Sequence, residues 1–292
     1  MLFPGFEQRR VAGKGAEIHL RIGGKGPPLL LLHGYPQTHA MWHKVAPRLA
    51  QDFTIVCPDL RGYGDSAKPD SDPAHLTYSK RATAADMVAV MQALGFAKFR
   101  LAGHDRGGRV SHRLALDHPD AVEKLAVLDI APTRTVFENI NQQVATAYYH
   151  WFFLIQPNPH PERMIGADPD YYLQSKLRAW SAGADVYPPQ VLSEYLRCFR
   201  DLAMIHASCE DYRAGASIDL EHDRADEHKR IQAPLLVLWG EKGLVNKAYD
   251  VVACWRAKAA GSVSGQALPC GHFLPEEAPD ETYNALRDFF LS

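Results

Sequence analysis

The spacing of apolar and polar positions divides the chain into segments of two kinds. Glu17 to Ile22 alternates as a half-buried strand does, and the turn-rich Gly23-Gly24-Lys25-Gly26-Pro27-Pro28 leads into the continuous apolar run Leu29 to Leu32. An unbroken run of this kind predicts a strand covered on both faces, and so a mostly parallel sheet. The same reading predicts a helix over Met41 to Leu49, a strand over Phe53 to Cys57, a helix over Thr83 to Leu94 stopped by Gly95, and a strand over Lys124 to Leu128. From Thr133 to about Asp226 the alternation ceases. Aromatic-rich helical patterns such as AYYHWFFL and VLSEYLRCF take over, with no convincing strand. A strand over Pro234 to Trp239, a helix over Ala248 to Lys258, a short strand over Gln266 to Leu268 and a closing helix over Asp280 to Leu291 then restore it. The expected organisation is an α/β core built from residues 1–132 and 227–292, with residues 133–226 inserted as a helical cap.

Composition narrows the class of function. A chain of 292 residues, 46% hydrophobic and 23% charged, can bury a large core without staples, and a net charge of -2 gives no electrostatic reason for a nucleic-acid partner. The five cysteines, Cys57, Cys198, Cys209, Cys254 and Cys270, are scattered and form no C-x-x-C pair, so a reducing cytoplasm is expected and a zinc site is not. The start, MLFPGFEQRRV, lacks the apolar region of a secretory signal, and no aliphatic run approaches membrane-spanning length.

Candidate chemistry centres on Phe99 to Val110, FRLAGHDRGGRV, where a short apolar run stops at Gly103-His104-Asp105-Arg106-Gly107 and resumes as a helical pattern. This resembles the G-x-nucleophile-x-G elbow of α/β-hydrolases, in which flanking glycines let a strained turn lift the central side chain above the sheet. The central residue here is Asp105. A carboxylate is a poor acyl-transfer nucleophile, but it can displace a leaving group from an sp3 carbon and form an ester. That ester needs a base to activate water, and His272 in Cys270-Gly271-His272-Phe273 lies on the loop after the last strand, where this fold carries its base. The carboxylate that orients the imidazole usually follows the strand read here as Leu235 to Trp239, but the sequence continues Gly240-Glu241-Lys242-Gly243. Asp129, at the alternative position after the preceding strand, is assigned the role. Glu241 competes with it, and a simple backbone-capping role is the plainer reading of Asp129.

His33-Gly34-Tyr35-Pro36 follows the buried strand, and H-G-x-P loops in this fold supply an oxyanion-hole N–H. Gly34 and Tyr35 are the candidates, with the Arg106 amide as second donor; a proline-containing turn is the alternative. Arg106 and Arg109 lie three apart in the first turn of the nucleophile helix, where the helix end is already positive. Two guanidinium groups there point to a negatively charged substrate group, a carboxylate, against the alternative of a structural salt bridge.

With these residues placed, HGYPQTHAMWH, PDLRGYGDS, GHDRGGRV, DIAPT, WGEK and CGHFLPEE together closely resemble the fluoroacetate (haloacetate) dehalogenases of the α/β-hydrolase superfamily over nearly the full length. Most of these segments are shared with epoxide hydrolases and haloalkane dehalogenases, which usually carry Trp after the nucleophile where this chain has Arg106. The resemblance implies that His150, Trp151 and Tyr212 receive the departing halide, although aromatic residues in helical stripes are ordinarily core. It also implies a cofactor-independent enzyme acting on a small haloacid, without nucleic-acid or membrane partners, and a homodimer. An epoxide hydrolase is the nearest rival, since Tyr148, Tyr149, Tyr171 and Tyr172 keep a pair of cap tyrosines open. A noncatalytic small-molecule receptor on the same scaffold is the rival from another class.

Overall fold

Eight strands form one sheet: β1 (Glu7–Ala12), β2 (Glu17–Gly23), β3 (Pro28–Leu32), β4 (Thr54–Pro58), β5 (Phe99–His104), β6 (Val122–Leu128), β7 (Leu235–Gly240) and β8 (Val263–Leu268). They are arranged in the order β1-β2-β4-β3-β5-β6-β7-β8. This computed structural model describes residues 2–183 and 186–292. The strands from β4 to β8 are parallel, while β1 and β2 run antiparallel at one edge. Leu29 to Leu32 and Leu125 to Leu128 are fully buried, as expected for central strands covered by helices on both faces.

The register gathers the chemistry at one end. Leu32 pairs with Gly103, His104 with Leu128, Leu128 with Leu238, and Gly240 with Leu268. The parallel strands therefore finish together, and the residues that follow them, His33 to Tyr35, Asp105, Asp129 and the loop to His272, meet at the carboxyl edge of the sheet. This edge is where open α/β sheets bind ligands.

Three local features depart from the sequence expectation. β1, with sequence EQRRVA, is an exposed edge strand held by backbone pairing to β2, so it carries no apolar alternation to reveal it. The helix expected over Met41 to Leu49 is a 3-10 turn, His39–Trp42, followed by a single turn, Ala46–Leu49, with Pro47 at its start. The helix expected over Ala248 to Lys258 is two short ones, Leu244–Ala248 and Val251–Arg256, and the Asp250 carboxylate between them caps the second by accepting from Ala253 N–H.

Between β6 and β7 the described residues form eight helices, from Thr133–Glu138 to Ile218–Ala225, and no strand. AYYHWFFL does not run as one helix: Tyr148 separates Gln142–Ala147 from Tyr149–Leu154. No helix of the described residues is long and apolar enough to cross a membrane.

Candidate active site

Asp105 opens the helix Asp105–Asp117 directly after β5, with φ of 45°. A left-handed backbone at a non-glycine residue is uncommon, and Asp tolerates it better than most. The turn closes only because its neighbours lack side chains. A Cβ on Gly103 would lie 2.4 Å from the Gly107 carbonyl oxygen, and one on Gly107 would lie 2.3 Å from that of His33.

The Asp105 carboxylate is nearly buried, and its Oδ2 accepts the Tyr35 N–H at 3.0 Å. Oδ1 accepts no hydrogen bond from another described residue. Burial would raise this carboxyl, but the neighbouring His272 and the charges of Arg109 and Arg106 outweigh it and hold the group below its ordinary range. Gly34 is not the donor to Asp105. Its contribution is the missing side chain, since a Cβ there would come within 2.5 Å of the Asp105 Cβ.

His272 Nδ1 lies 2.6 Å from Asp129 Oδ2, and Asp129 Oδ1 accepts the Gly240 N–H at 2.9 Å. Asp129 also has a positive φ, 51°. It thus caps a backbone amide and holds the imidazole at once, while Glu241 is exposed and the carboxylate on His272 Nδ1 is that of Asp129. Desolvation lowers the His272 pKa, but the hydrogen bond and charge of Asp129, joined by Asp105, raise it above the ordinary histidine value. Two further contacts fix the His272 backbone. His104 Nε2–H donates to its carbonyl at 2.7 Å, and its own N–H donates to the Trp180 carbonyl at 2.9 Å. His104 is held neutral, near pKa 3, by burial and by the neighbouring His272.

Arg106 and Arg109 are both buried but differently committed. Arg106 Nε–H donates to Asp211 Oδ2 at 2.6 Å and its Nη2–H donates to the Asp211 carbonyl at 2.5 Å. The structural salt bridge weighed for this residue is therefore present, with a partner 105 positions away. Burial lowers the Arg106 pKa, but the Asp211 charge more than reverses this. Asp211 also accepts from Tyr63 Oη at 2.9 Å and from Lys80 Nζ. Arg109 donates through Nη1 to the Ala131 carbonyl and to Thr133 Oγ1, at 3.1 and 3.0 Å, while its Nε and Nη2 are buried without an acceptor. An orphaned guanidinium edge is costly unless a ligand satisfies it.

Each arginine stacks on an aromatic residue of the helical insertion. The Arg106 Cζ is 4.1 Å from the Tyr212 ring centroid and that of Arg109 is 4.6 Å from Trp151. The His150 and Tyr212 rings are 5.6 Å apart, and Trp151 is 6.1 Å from Tyr212. Burial, reinforced by Lys176, keeps His150 well below the ordinary histidine pKa, and Tyr212 is held protonated by burial and the charge of Asp105. Asp105, Asp129, His150, Trp151 and His272 line one cavity of about 660 Å³. Tyr212, Arg106 and Arg109 are outside that lining and reach it through these stacked contacts.

Some polar residues around the site escaped the sequence reading. Glu276, four positions after His272, accepts from Tyr195 Oη at 2.9 Å and from Gln37 Nε2, and burial pushes its carboxyl up to about 8. Gln37 belongs to the HGYPQ loop and Tyr195 to the helix Pro189–Phe199, so a single buried carboxyl joins the segment after His272, the loop after β3 and the helical segment between β6 and β7. Farther off, His19 and His39 flank buried Asp59, each Nδ1 at 2.8 Å from one of its oxygens. Those three side chains are close enough to share a cation, but Asp59 also accepts the His39 and Asp65 N–H groups and is fully occupied.

A strand-turn-helix aspartate, a histidine paired to a second aspartate and a backbone amide on Asp105 Oδ2 coincide with the match of residues 27–279 to the family model for the alpha/beta hydrolase fold. The chain belongs to the α/β-hydrolase family. It is 50% identical over 289 residues to a fluoroacetate dehalogenase of Burkholderia sp, covering 99% of this chain and 95% of that protein. It is 32% identical over 279 residues to a soluble epoxide hydrolase of Corynebacterium sp. (strain C12), covering 94% of each. Among solved structures, a candidate alpha/beta hydrolase from Nostoc sp PCC 7120 superposes with a TM-score of 0.98 at 59% identity, covering 99% of both chains.

Proposed function

We propose that the protein is a hydrolytic dehalogenase that converts a short 2-haloacid to the hydroxy acid and halide through an ester on Asp105. The observation that carries this reading is the division of labour at the Asp105 carboxylate. Oδ2 is held by the Tyr35 amide while Oδ1 has no donor among the described residues, in a cavity shared with His272. The likeness to a fluoroacetate dehalogenase at 50% identity supports the substrate class.

In the first step the substrate carboxylate pairs with the free Nε and Nη2 edge of Arg109 and with the part of Arg106 that Asp211 leaves open. Asp105 Oδ1 attacks the halogen-bearing carbon, the carbon–halogen bond breaks, and its electron pair leaves with the halide. His150, Trp151 and Tyr212, neutral N–H and O–H donors, stabilise that charge as it develops. Residues 133–226 act as the cap that brings these donors over the nucleophile.

In the second step His272 takes a proton from water, and the hydroxide attacks the Asp105 carbonyl carbon. The oxyanion forms on Oδ2, which the Tyr35 N–H already holds; the Arg106 amide, in a first turn that lacks an intrahelical acceptor, is the second donor. On collapse the acyl C–O bond between the Asp105 carboxyl carbon and Oδ1 breaks, and the departing alkoxide takes the proton held by His272 to become the hydroxy acid. The new Asp105 carboxyl loses its proton to solvent, which restores the carboxylate. Forming the ester also removes the Asp105 negative charge that favours imidazolium, so His272 is released as a neutral base when water must be activated.

An epoxide hydrolase is the second reading, supported by the relative at 32% identity and by the buried phenols of Tyr148 and Tyr212, both of which feel the charge of Asp105. Halide release from fluoroacetate and chloroacetate, measured beside diol formation from styrene oxide, separates the two. Halide release without diol is expected, and diol without halide favours the second reading. The resemblance also carries a homodimer, which light scattering on the purified protein tests.

A further inference from the structure

Tyr172, Lys176 and Trp180 are spaced four apart on the helix Pro169–Trp180, so they share one face, and all three line the cavity. Lys176 is 3% exposed, yet no described carboxylate lies within ion-pair distance of it. Its ammonium donates to Tyr149 Oη and sits among aromatic faces. The Nζ is 3.7 Å from the Tyr149 ring centroid, 5.0 Å from Tyr172 and 5.8 Å from Trp180. One neutral phenol and three rings do not replace water around a buried cation: desolvation pulls the Lys176 pKa down to about 8. By contrast, the buried Arg106 and Lys80 share the Asp211 carboxylate, and Arg109 is bonded to the Ala131 carbonyl and the Thr133 hydroxyl.

We propose that Lys176 is a second anion-binding station, on the wall of the cavity formed by the helical insertion, where a monovalent anion pairs with an ammonium that has no carboxylate partner among the described residues. This rests on the haloacid reading, which supplies two such anions, the incoming carboxylate and the outgoing halide. The position suits either. Trp180, beside Lys176, has its ring 4.6 Å from that of His150 and 5.6 Å from that of His272. The station is thus one aromatic ring away from the halide donors and from the base. The groups that share the cavity with it are Tyr149 and His150 from the helix Tyr149–Leu154, Tyr172 and Trp180 from its own helix, and Asp105, Asp129, Lys242, Lys247 and His272 from the sheet edge, of which Asp105 and Asp129 are anionic and Asp129 is already paired with His272. An anion at Lys176 therefore gains a cation in a desolvated site, while the positive ring of donors around Asp105 remains intact for substrate.

Trp180 makes the test direct, because iodide held at Lys176 quenches its fluorescence. Sodium iodide titrated against the wild-type protein at constant ionic strength is expected to quench saturably. Lys176→Met is expected to weaken that binding by about tenfold or more, and Lys176→Arg, which keeps the charge, to retain it. Lys176→Gln replaces the Met variant should the latter fail to fold, as judged by circular dichroism. Competition by acetate separates the sources. If the carboxylate uses the station, acetate displaces iodide and the neutral variant raises KM for chloroacetate. If the halide uses it, acetate does not compete and kcat falls with a steeper inhibition by product halide. Iodide binding that is unchanged in both neutral variants, or no saturable quenching in the wild type, overturns the proposal. Absence of haloacid turnover in the wild type instead overturns the functional reading, and leaves the iodide titration interpretable.

Discussion

Asp211, on the helix Leu202–Ala216 of the inserted segment, accepts the Nε–H of Arg106 at 2.6 Å across the opening of the nucleophile helix. The next residue on that helix is Tyr212, whose ring lies 4.1 Å beneath the same guanidinium. One turn of the insertion thus fixes an arginine of the core and presents a phenol beside it. Asp211→Ala leaves the buried Arg106 and Lys80 without their shared carboxylate, and breaking a buried pair in this way costs about 3–5 kcal/mol. Chemical denaturation is expected to show that loss, together with a raised KM for haloacetate as Arg106 swings free. A variant of wild-type stability and KM contradicts the positioning role.

Arg109 has the orphaned edge, so it is expected to dominate substrate affinity. Arg109→Leu removes a charge-assisted contact of about 1.5–3 kcal/mol, or roughly ten- to hundredfold in kcat/KM for haloacetate. Arg109→Lys is expected to recover little, because an ammonium cannot present the planar fork. Steady-state kinetics on both variants checks this, and near-complete rescue by lysine contradicts a bidentate contact.

The meeting of Asp105, His272 and Asp129 was legible in the sequence because each sits in a contiguous motif at a strand end. GHDRGG announces its own turn, CGHF falls after the last strand, and the glycine at position 243, where an acid is expected, directs attention to Asp129. What was not legible depends on contacts that no local pattern records. The pairing of Arg106 with Asp211 spans 105 positions, and the Gln37–Glu276–Tyr195 cluster joins three distant segments, so neither has a spacing to read. β1 stayed hidden because five of its six residues are exposed and backbone pairing alone holds it. The helix over Met41 to Leu49 was drawn too long because apolar spacing persists through Pro47, which starts a new turn instead of continuing the old one.

The contact of His272 with Asp129 gives the pH dependence a definite sign. Water activation needs neutral His272, so kcat is expected to rise with pH through the His272 pKa and then level off. Asp129 raises that pKa, so Asp129→Asn is expected to move the limb to lower pH while cutting kcat by about 10²–10⁴, because the imidazole loses its orienting acceptor. A pH-rate profile of the two proteins decides it. A limb that moves to higher pH in the variant contradicts the assignment.

Removing the base is expected to divide the reaction at the ester. His272→Asn leaves Asp105, the arginines and the halide donors intact, so alkylation proceeds and hydrolysis does not. Incubation with chloroacetate is expected to release about one equivalent of chloride per active site and to leave the Asp105 peptide heavier by one carboxymethyl group. Asp105→Asn is expected to lose turnover by about 10³ or more and to form no adduct. An unmodified peptide in the His272 variant contradicts attack by Asp105.

The most direct test follows one oxygen atom. If Asp105 Oδ1 bonds to substrate carbon and water attacks the ester carbonyl, a single turnover of chloroacetate by excess wild-type enzyme in 18O-labelled water places the label in the Asp105 carboxylate and leaves the hydroxy acid unlabelled. Label in the hydroxy acid after that first turnover, with none in the Asp105 peptide, means that water attacked the substrate itself, and it contradicts the covalent mechanism.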